Sequence, residues 1–179
     1  MKTVSVAVIG AGLAGLACAR RLSVSGCHAV VFERQRAPGG RLGTRRFKAA
    51  TFDHGAQYLT VRDPVFRAAI DAALATGAAG RWQPDWPGGE QEKTDLWVGI
   101  PAMSALPRYL AGGLDIEYGA RVTRLARARG GWTVIDDRGS WYPDFTCVVL
   151  AMPAPEAAAL TAMHTPLAER VGAVPMAPC

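Results

Sequence analysis

Gly10, Gly12 and Gly15 stand at the spacing G-x-G-x-x-G near the start of the chain. That spacing serves the binding of a pyrophosphate by main-chain amides. The first glycine permits a tight turn, the second lets the backbone approach phosphates with no side chain between, and the third lets a helix pack closely on a strand. The N–H groups of the helix N-terminus, helped by its dipole, then face the anion. Glu33 follows about 20 positions later, where a carboxylate can accept hydrogen bonds from a ribose hydroxyl. Glycines and acid together point to a dinucleotide carrying an adenosine ribose.

Such residues work only if a strand, a turn, a helix and a second strand hold them in register. Val4, Val6, Val8 and Ile9 form a β-branched run directly before the glycines. Leu13, Leu16 and Ala17 recur at helical spacing, with the small Ala14 beside the turn. After Gly26, the run Ala29, Val30, Val31, Phe32 predicts a second strand ending at Glu33. A secretory signal competes for residues 4–22, because Lys2 precedes an apolar run with small residues near Cys18. Glycines at fixed intervals weaken a signal helix, and Arg20 and Arg21 interrupt it. A lipoprotein box fails as well, since Gly15 stands where a branched apolar residue should precede Cys18.

Further along, Ala37 to Thr51 is rich in glycine and arginine and reads as a loop over a ligand. Asp63-Pro64 caps a predicted helix running to about Ala75, with Val65, Phe66, Ala69, Ile70 and Ala73 on its apolar side. Gly77 to Glu92, which holds Trp82 and Trp86, reads as a long loop. Leu96 to Ile100 is a short predicted strand, and Met103 to Leu110 a short helix ended by Gly112-Gly113. Leu114 to Tyr118, Arg121 to Arg129 and Trp132 to Asp136 are three β-like runs broken by turn residues, expected to form an antiparallel meander. Cys147 to Ala151 is continuously apolar, as in a strand buried on both faces of a parallel sheet. The expected class is α/β: a Rossmann-like fold with a parallel sheet and an antiparallel β-meander crossover.

Composition bounds the alternatives. The 179 residues suffice for one domain with a proper core and are short for two. Half of the residues are apolar, and no apolar run reaches membrane length, so a soluble chain without a membrane partner is expected. Cys18, Cys27, Cys147 and Cys179 show no metal or redox spacing and are expected to be reduced thiols in a cytoplasmic protein. His28, His54 and His164 are scattered, so no metal site is expected. The net charge of +5 is mostly arginine, concentrated at Arg34, Arg36, Arg41, Arg45 and Arg46. No alternation of basic and aromatic residues accompanies it, which argues against nucleic acid and for a cofactor's phosphates.

The glycine motif and Glu33, followed by Pro38-Gly39-Gly40-Arg41, resemble the N-terminus of the FAD-dependent amine oxidase superfamily. Within it, Phe52-Asp53-His54-Gly55-Ala56-Gln57-Tyr58, Trp97-Val98-Gly99-Ile100-Pro101-Ala102-Met103 and Ala151-Met152-Pro153-Ala154 are most similar to the renalase branch. The resemblance implies FAD, its pyrophosphate on the turn from Gly10 to Gly15, Leu13 and Ala14 included, and its adenosine ribose on Glu33. It places Arg34 beside the adenosine half and Arg41 at the phosphates or the flavin side. Gly39 and Gly40 suit a backbone that approaches a ligand, and Arg41 suits bidentate phosphate contact. By the same resemblance Gln57 and Tyr58 pass near the isoalloxazine, and Val122 meets the adenine through its backbone.

The implied activity is hydride transfer from a reduced, isomeric dihydronicotinamide nucleotide or an amine-like substrate to the flavin, with dioxygen as final acceptor. The flavin carries that chemistry, so no side chain is assigned as catalytic. Members of this branch are longer, and Ala173 to Cys179 reads as the start of a new strand. On this reading residues 1–179 form the N-terminal part of an FAD-binding domain, with about 63–113 in an inserted substrate-side region. An open C-terminal edge would favour self-association. Two other readings stay open: a non-catalytic dinucleotide-binding fragment, and an NAD(P)-dependent dehydrogenase in which Arg34 helps hold a 2′-phosphate.

Overall fold

A computed structural model describes residues 3–84, 95–128 and 130–177. In chain order the elements begin with β1 (Ser5–Ile9), α1 (Leu13–Val24) and β2 (His28–Glu33). A 3-10 turn at Gly40–Leu42 follows, then β3 (Thr44–Phe47), β4 (Ala50–Asp53), β5 (Leu59–Thr60), α2 (Pro64–Ala75), β6 (Ala79–Trp82), β7 (Leu96–Gly99) and α3 (Ala105–Ala111). The rest comprises β8 (Asp115–Tyr118), β9 (Val122–Ala128), β10 (Gly131–Asp136), β11 (Trp141–Phe145), β12 (Cys147–Leu150), α4 (Ala154–Leu160) and α5 (Thr165–Gly172). Two compact units result: Met1–Pro38 with Gly113–Cys179, and Gly39–Gly112.

The first unit is built on a parallel sheet of order β12-β1-β2-β8. Alternation along β1 and β2 gives the sheet two apolar faces. Ala7, Ile9, Val30 and Phe32 join Ala120, Leu125, Val134 and Phe145 in one buried cluster, so the meander β9-β10-β11 covers that face. Phe32 meets Tyr142 and Phe145 edge-on, with ring centroids 4.9 and 5.8 Å apart. Helix α1 buries Gly15, Leu16 and Ala19. Burying a leucine such as Leu16, fully enclosed here, contributes about 1.5–3 kcal/mol.

Three expectations for this unit are corrected. Leu114 to Tyr118 is no part of the meander: β8 pairs in parallel with β2, from Val30 opposite Asp115 to Glu33 opposite Tyr118. Its polar alternation fits an edge strand, and the meander's third member is instead β11, whose Pro143 and Asp144 obscure a strand pattern. Strand β12 pairs only with β1 among the described residues and is half-buried, so its apolar run does not mark a strand enclosed on both faces. Residues 173–177 follow α5 as irregular backbone rather than as a new strand.

The second unit holds the hairpin β3-β4, an antiparallel sheet of order β5-β7-β6, and helices α2 and α3. Ala37 to Thr51 is therefore more than a loop; its Arg45 and Arg46 lie in β3 between Thr44 and Phe47, opposite β4, while Arg41 sits in the 3-10 turn. Gly77 to Glu92 likewise contains β6, while its remainder beyond residue 84, Trp86 included, lies outside the described residues. Asp63 caps α2 as expected, its Oδ1 accepting from the N–H groups of Val65 and Phe66 at 2.9 Å each. Val65 is 79% exposed, however, so the apolar side of α2 is carried by Ile70 and Ala73. Replacing Asp63 with alanine leaves two helix donors without their acceptor and should cost about 1 kcal/mol in urea denaturation.

Candidate flavin-binding site

The turn between β1 and α1 shows why its glycines stand where they do. Gly10 has φ +108°, and a Cβ there would lie 2.6 Å from the Ala151 carbonyl oxygen. A Cβ on Gly15 would overlap the Gly10 carbonyl oxygen and lie 3.1 Å from the Ala151 Cβ. Strand β1 is anchored on both sides at this end: the Gly10 N–H donates to Phe32 O at 2.8 Å, and the Ala151 N–H to Ile9 O at 2.9 Å. Gly12 is the N-cap of α1 in extended conformation. Among the described residues no side chain caps that helix, and no acid stands in its first turn, so its leading N–H groups have no side-chain acceptor there. That is the donor set a pyrophosphate requires.

Glu33 closes the other side of the turn. It is only 6% exposed, and its Oε2 accepts from the Ala11 N–H while its Oε1 accepts from the Gln35 N–H, both at 2.8 Å. A carboxylate offers about four lone-pair sites, so two backbone donors leave capacity for ribose hydroxyls. Arg34 is exposed, and its guanidinium bonds Glu156 Oε2 at 3.0 Å. Val122 begins β9 and packs half-buried against the core. Gly10, Gly12, Leu13, Ala14, Gly15, Glu33, Arg34 and Val122 thus all belong to the first unit.

Gly40, Arg41, Gln57 and Tyr58 belong to the second unit. There the Arg41 carbonyl accepts from the Ala56 N–H at 2.8 Å, and a Cβ on Gly55 would overlap that carbonyl oxygen. The loop of Arg41 and the Gly55-Ala56-Gln57-Tyr58 segment are therefore one packed piece. Gly40 takes φ +55° at the start of the 3-10 turn. Gln57 and Tyr58 are both exposed, so neither is spent on core packing, and Tyr58 leans on Trp82 with centroids 5.7 Å apart. Asp53 accepts from the Thr44 hydroxyl and the Met103 N–H, tying the hairpin to the turn before α3.

Sequence reasoning missed Ala11 and Ala151 as parts of this site. Ala11 acts through its N–H alone, which no side-chain pattern reveals. Ala151 had a signal: a small residue ending an apolar run just before Pro153.

Comparison with known proteins decides the family. Residues 8–73 match the model of an NAD(P)-binding Rossmann-like domain. Residues 88–178, just over half of the chain, match that of the flavin containing amine oxidoreductases. The chain belongs to the flavin-containing amine oxidoreductase family. FAD is its cofactor, and the turn described above has the donors to fit it. Relatives include the hydroxyneurosporene desaturase of Cereibacter sphaeroides, 45% identical over 58 residues, which are 32% of this chain and 12% of that protein. The phytoene dehydrogenase of Streptomyces griseus is 45% identical over 72 residues, 40% of this chain and 13% of its own. Wild-type putrescine oxidase bound to putrescine has the same fold, at TM-score 0.66 and 14% identity, over 89% of this chain and 60% of that one. The chain thus spans less than two thirds of the length of each of these three proteins. Among the described residues no helix is long and apolar enough to cross a membrane.

Proposed function

We propose that this chain is the FAD-binding portion of a flavin oxidoreductase of the renalase type. Its substrate is a reduced nicotinamide nucleotide or an amine-like molecule, and dioxygen is the final electron acceptor. The observation that carries the proposal is the α1 N-terminus, capped by glycine with no side-chain acceptor, beside a Glu33 carboxylate held by two main-chain amides. Bound FAD supplies hydride acceptance at its isoalloxazine. The residues of this chain supply binding and orientation: the amides of Gly12, Leu13, Ala14 and Gly15 for the diphosphate, and Glu33 for the adenosine ribose. Arg34 and Val122 serve the adenosine half. Gly40, Arg41, Gln57 and Tyr58 serve the phosphates and the flavin side. The motifs from Phe52 to Tyr58 and from Trp97 to Met103 favour the renalase branch over the desaturases.

The test is to load the purified chain with FAD and add dihydronicotinamide isomers, then primary amines, while following flavin bleaching and peroxide release. Bleaching by a dihydronicotinamide supports the renalase-type reading; bleaching by amines alone replaces it with an amine oxidase. A loaded flavin that none of them reduces leaves a cofactor-binding chain without this activity. Gly12→Val should abolish FAD binding, because a side chain would occupy the diphosphate's approach. Unchanged affinity for FAD in that variant counts against the placement of the diphosphate.

A further inference from the structure

The two segments assigned to the flavin side leave the same end of the hairpin β3-β4. The turn Gly40–Leu42 runs through Gly43 into Thr44, the first residue of β3, and Asp53, the last of β4, runs on toward Gln57 and Tyr58. Thr44 and Asp53 stand opposite each other in the register. Beyond this pair the segments stay side by side, the His54 N–H donating to Gly43 O at 3.4 Å and the Ala56 N–H to Arg41 O at 2.8 Å. One carboxylate closes the fork. The Thr44 hydroxyl donates to Asp53 Oδ1 at 2.5 Å, and the Met103 N–H reaches both carboxylate oxygens at 3.2 and 3.3 Å. The Thr44 oxygen in turn accepts from the Ser104 N–H at 3.1 Å. The anchor is firm: Met103 is fully buried, and its sulfur accepts from the Gly99 N–H at 3.2 Å. We infer that Asp53 is a positioning residue for the flavin side, fixing the fork from which Arg41, Gln57 and Tyr58 reach their places; this rests on the flavin-binding reading above.

Arg41, Gln57 and Tyr58 are all exposed, so packing does little to fix the backbone that carries them. Hydrogen bonds at the base of the fork must do it. A loop already ordered when its ligand arrives loses less conformational freedom on binding, which raises affinity and sets the ligand's orientation. Asp53 makes no ion pair among the described residues, so its place depends on the bonds it accepts and not on a counter-charge. The side-chain carbonyl of an asparagine has the same reach and the same acceptor, whereas alanine has neither. Losing the carboxylate strands the Thr44 hydroxyl and the Met103 N–H together and frees the fork from the turn before α3.

Amide hydrogen exchange on the full chain without FAD, joined to FAD titration of the same proteins, tests the inference. In Asp53→Ala, exchange at Ala56 and Met103 should quicken, and FAD should bind on the order of tenfold more weakly, as loss of one charge-assisted contact implies. The visible circular dichroism of the bound flavin should differ from that of the wild type. Asp53→Asn should restore slow exchange, affinity and dichroism. Adenosine diphosphate, which lacks the isoalloxazine, should bind all three proteins equally, because the residues assigned to its half lie in the first unit. Asp63→Ala, a cap lost in the same unit as Asp53, controls for stability and should leave FAD affinity unchanged. Quickened exchange confined to Met103 and Ser104, with flavin affinity and dichroism unchanged, overturns the inference and leaves Asp53 as an anchor of α3 alone. An Asp53→Ala chain that loses no more FAD affinity than Asp63→Ala overturns it too. A wild-type chain that binds no FAD overturns the flavin reading itself and this inference with it, a result distinct from the other two.

Discussion

Gly15→Ala is expected to lower stability by about 1–3 kcal/mol, the range for forcing extra atoms into a packed site, and to remove FAD binding with it. The added methyl would overlap the Gly10 carbonyl oxygen and press on the Ala151 Cβ from 3.1 Å. Neither neighbour can yield cheaply. Gly10 already holds φ +108°, its N–H is bonded to Phe32 O, and the Ala151 carbonyl oxygen lies 2.6 Å from where its own Cβ would be. Relief requires α1 to move away from the sheet, carrying the amides that face the diphosphate. Chemical denaturation followed by far-UV circular dichroism, with FAD titration on the same sample, checks both halves. A variant as stable as the wild type with the same FAD affinity would show that the turn has slack which this packing denies.

The second large effect is expected at Asp136, whose side chain is completely buried where β10 ends. Its Oδ1 accepts from the N–H groups of Arg138 and Ser140 at 3.0 and 2.8 Å, and its Oδ2 from the Arg138 Nε and terminal nitrogen at 2.9 and 2.7 Å. Asp136→Ala strands these donors and should cost about 1–3 kcal/mol. Burial pushes this carboxyl up, but the Arg138 side chain, the Ser140 and Arg138 N–H groups and the Arg138 charge outweigh it. They hold it below the ordinary carboxylate range. Because the folded value is the lower one, the stabilisation is complete above the ordinary carboxylate range. It is lost as pH falls through that range toward the depressed value. Denaturation midpoints of wild type and Asp136→Asn should therefore converge on acidification. A difference that stays constant from neutral pH to below the ordinary carboxylate range would contradict this account.

The legible parts of the fold are those in which each residue has a single physical job. Gly10, Gly15 and Glu33 state a turn, a close packing and an acceptor, and β1, α1 and β2 follow at nearly the expected bounds. Asp63 before Pro64 states a helix start for the same reason. What could not be read depends on partners distant in sequence. Leu114-Asp115-Ile116-Glu117-Tyr118 alternates like a half-solvated hairpin strand, and only its pairing with β2 makes it an edge of the parallel sheet. Trp141 to Phe145 hides a strand because Pro143 and Asp144, the latter at φ +68°, break the pattern that reveals one.

The structure of the chain soaked or crystallised with FAD tests the central claim most directly. The account predicts diphosphate oxygens within hydrogen-bond distance of the amides between Gly12 and Gly15, and a ribose hydroxyl donating to Glu33. An FAD molecule bound elsewhere, or a Glu33 carboxylate still reserved for Ala11 and Gln35 with the ribose out of its reach, would contradict it.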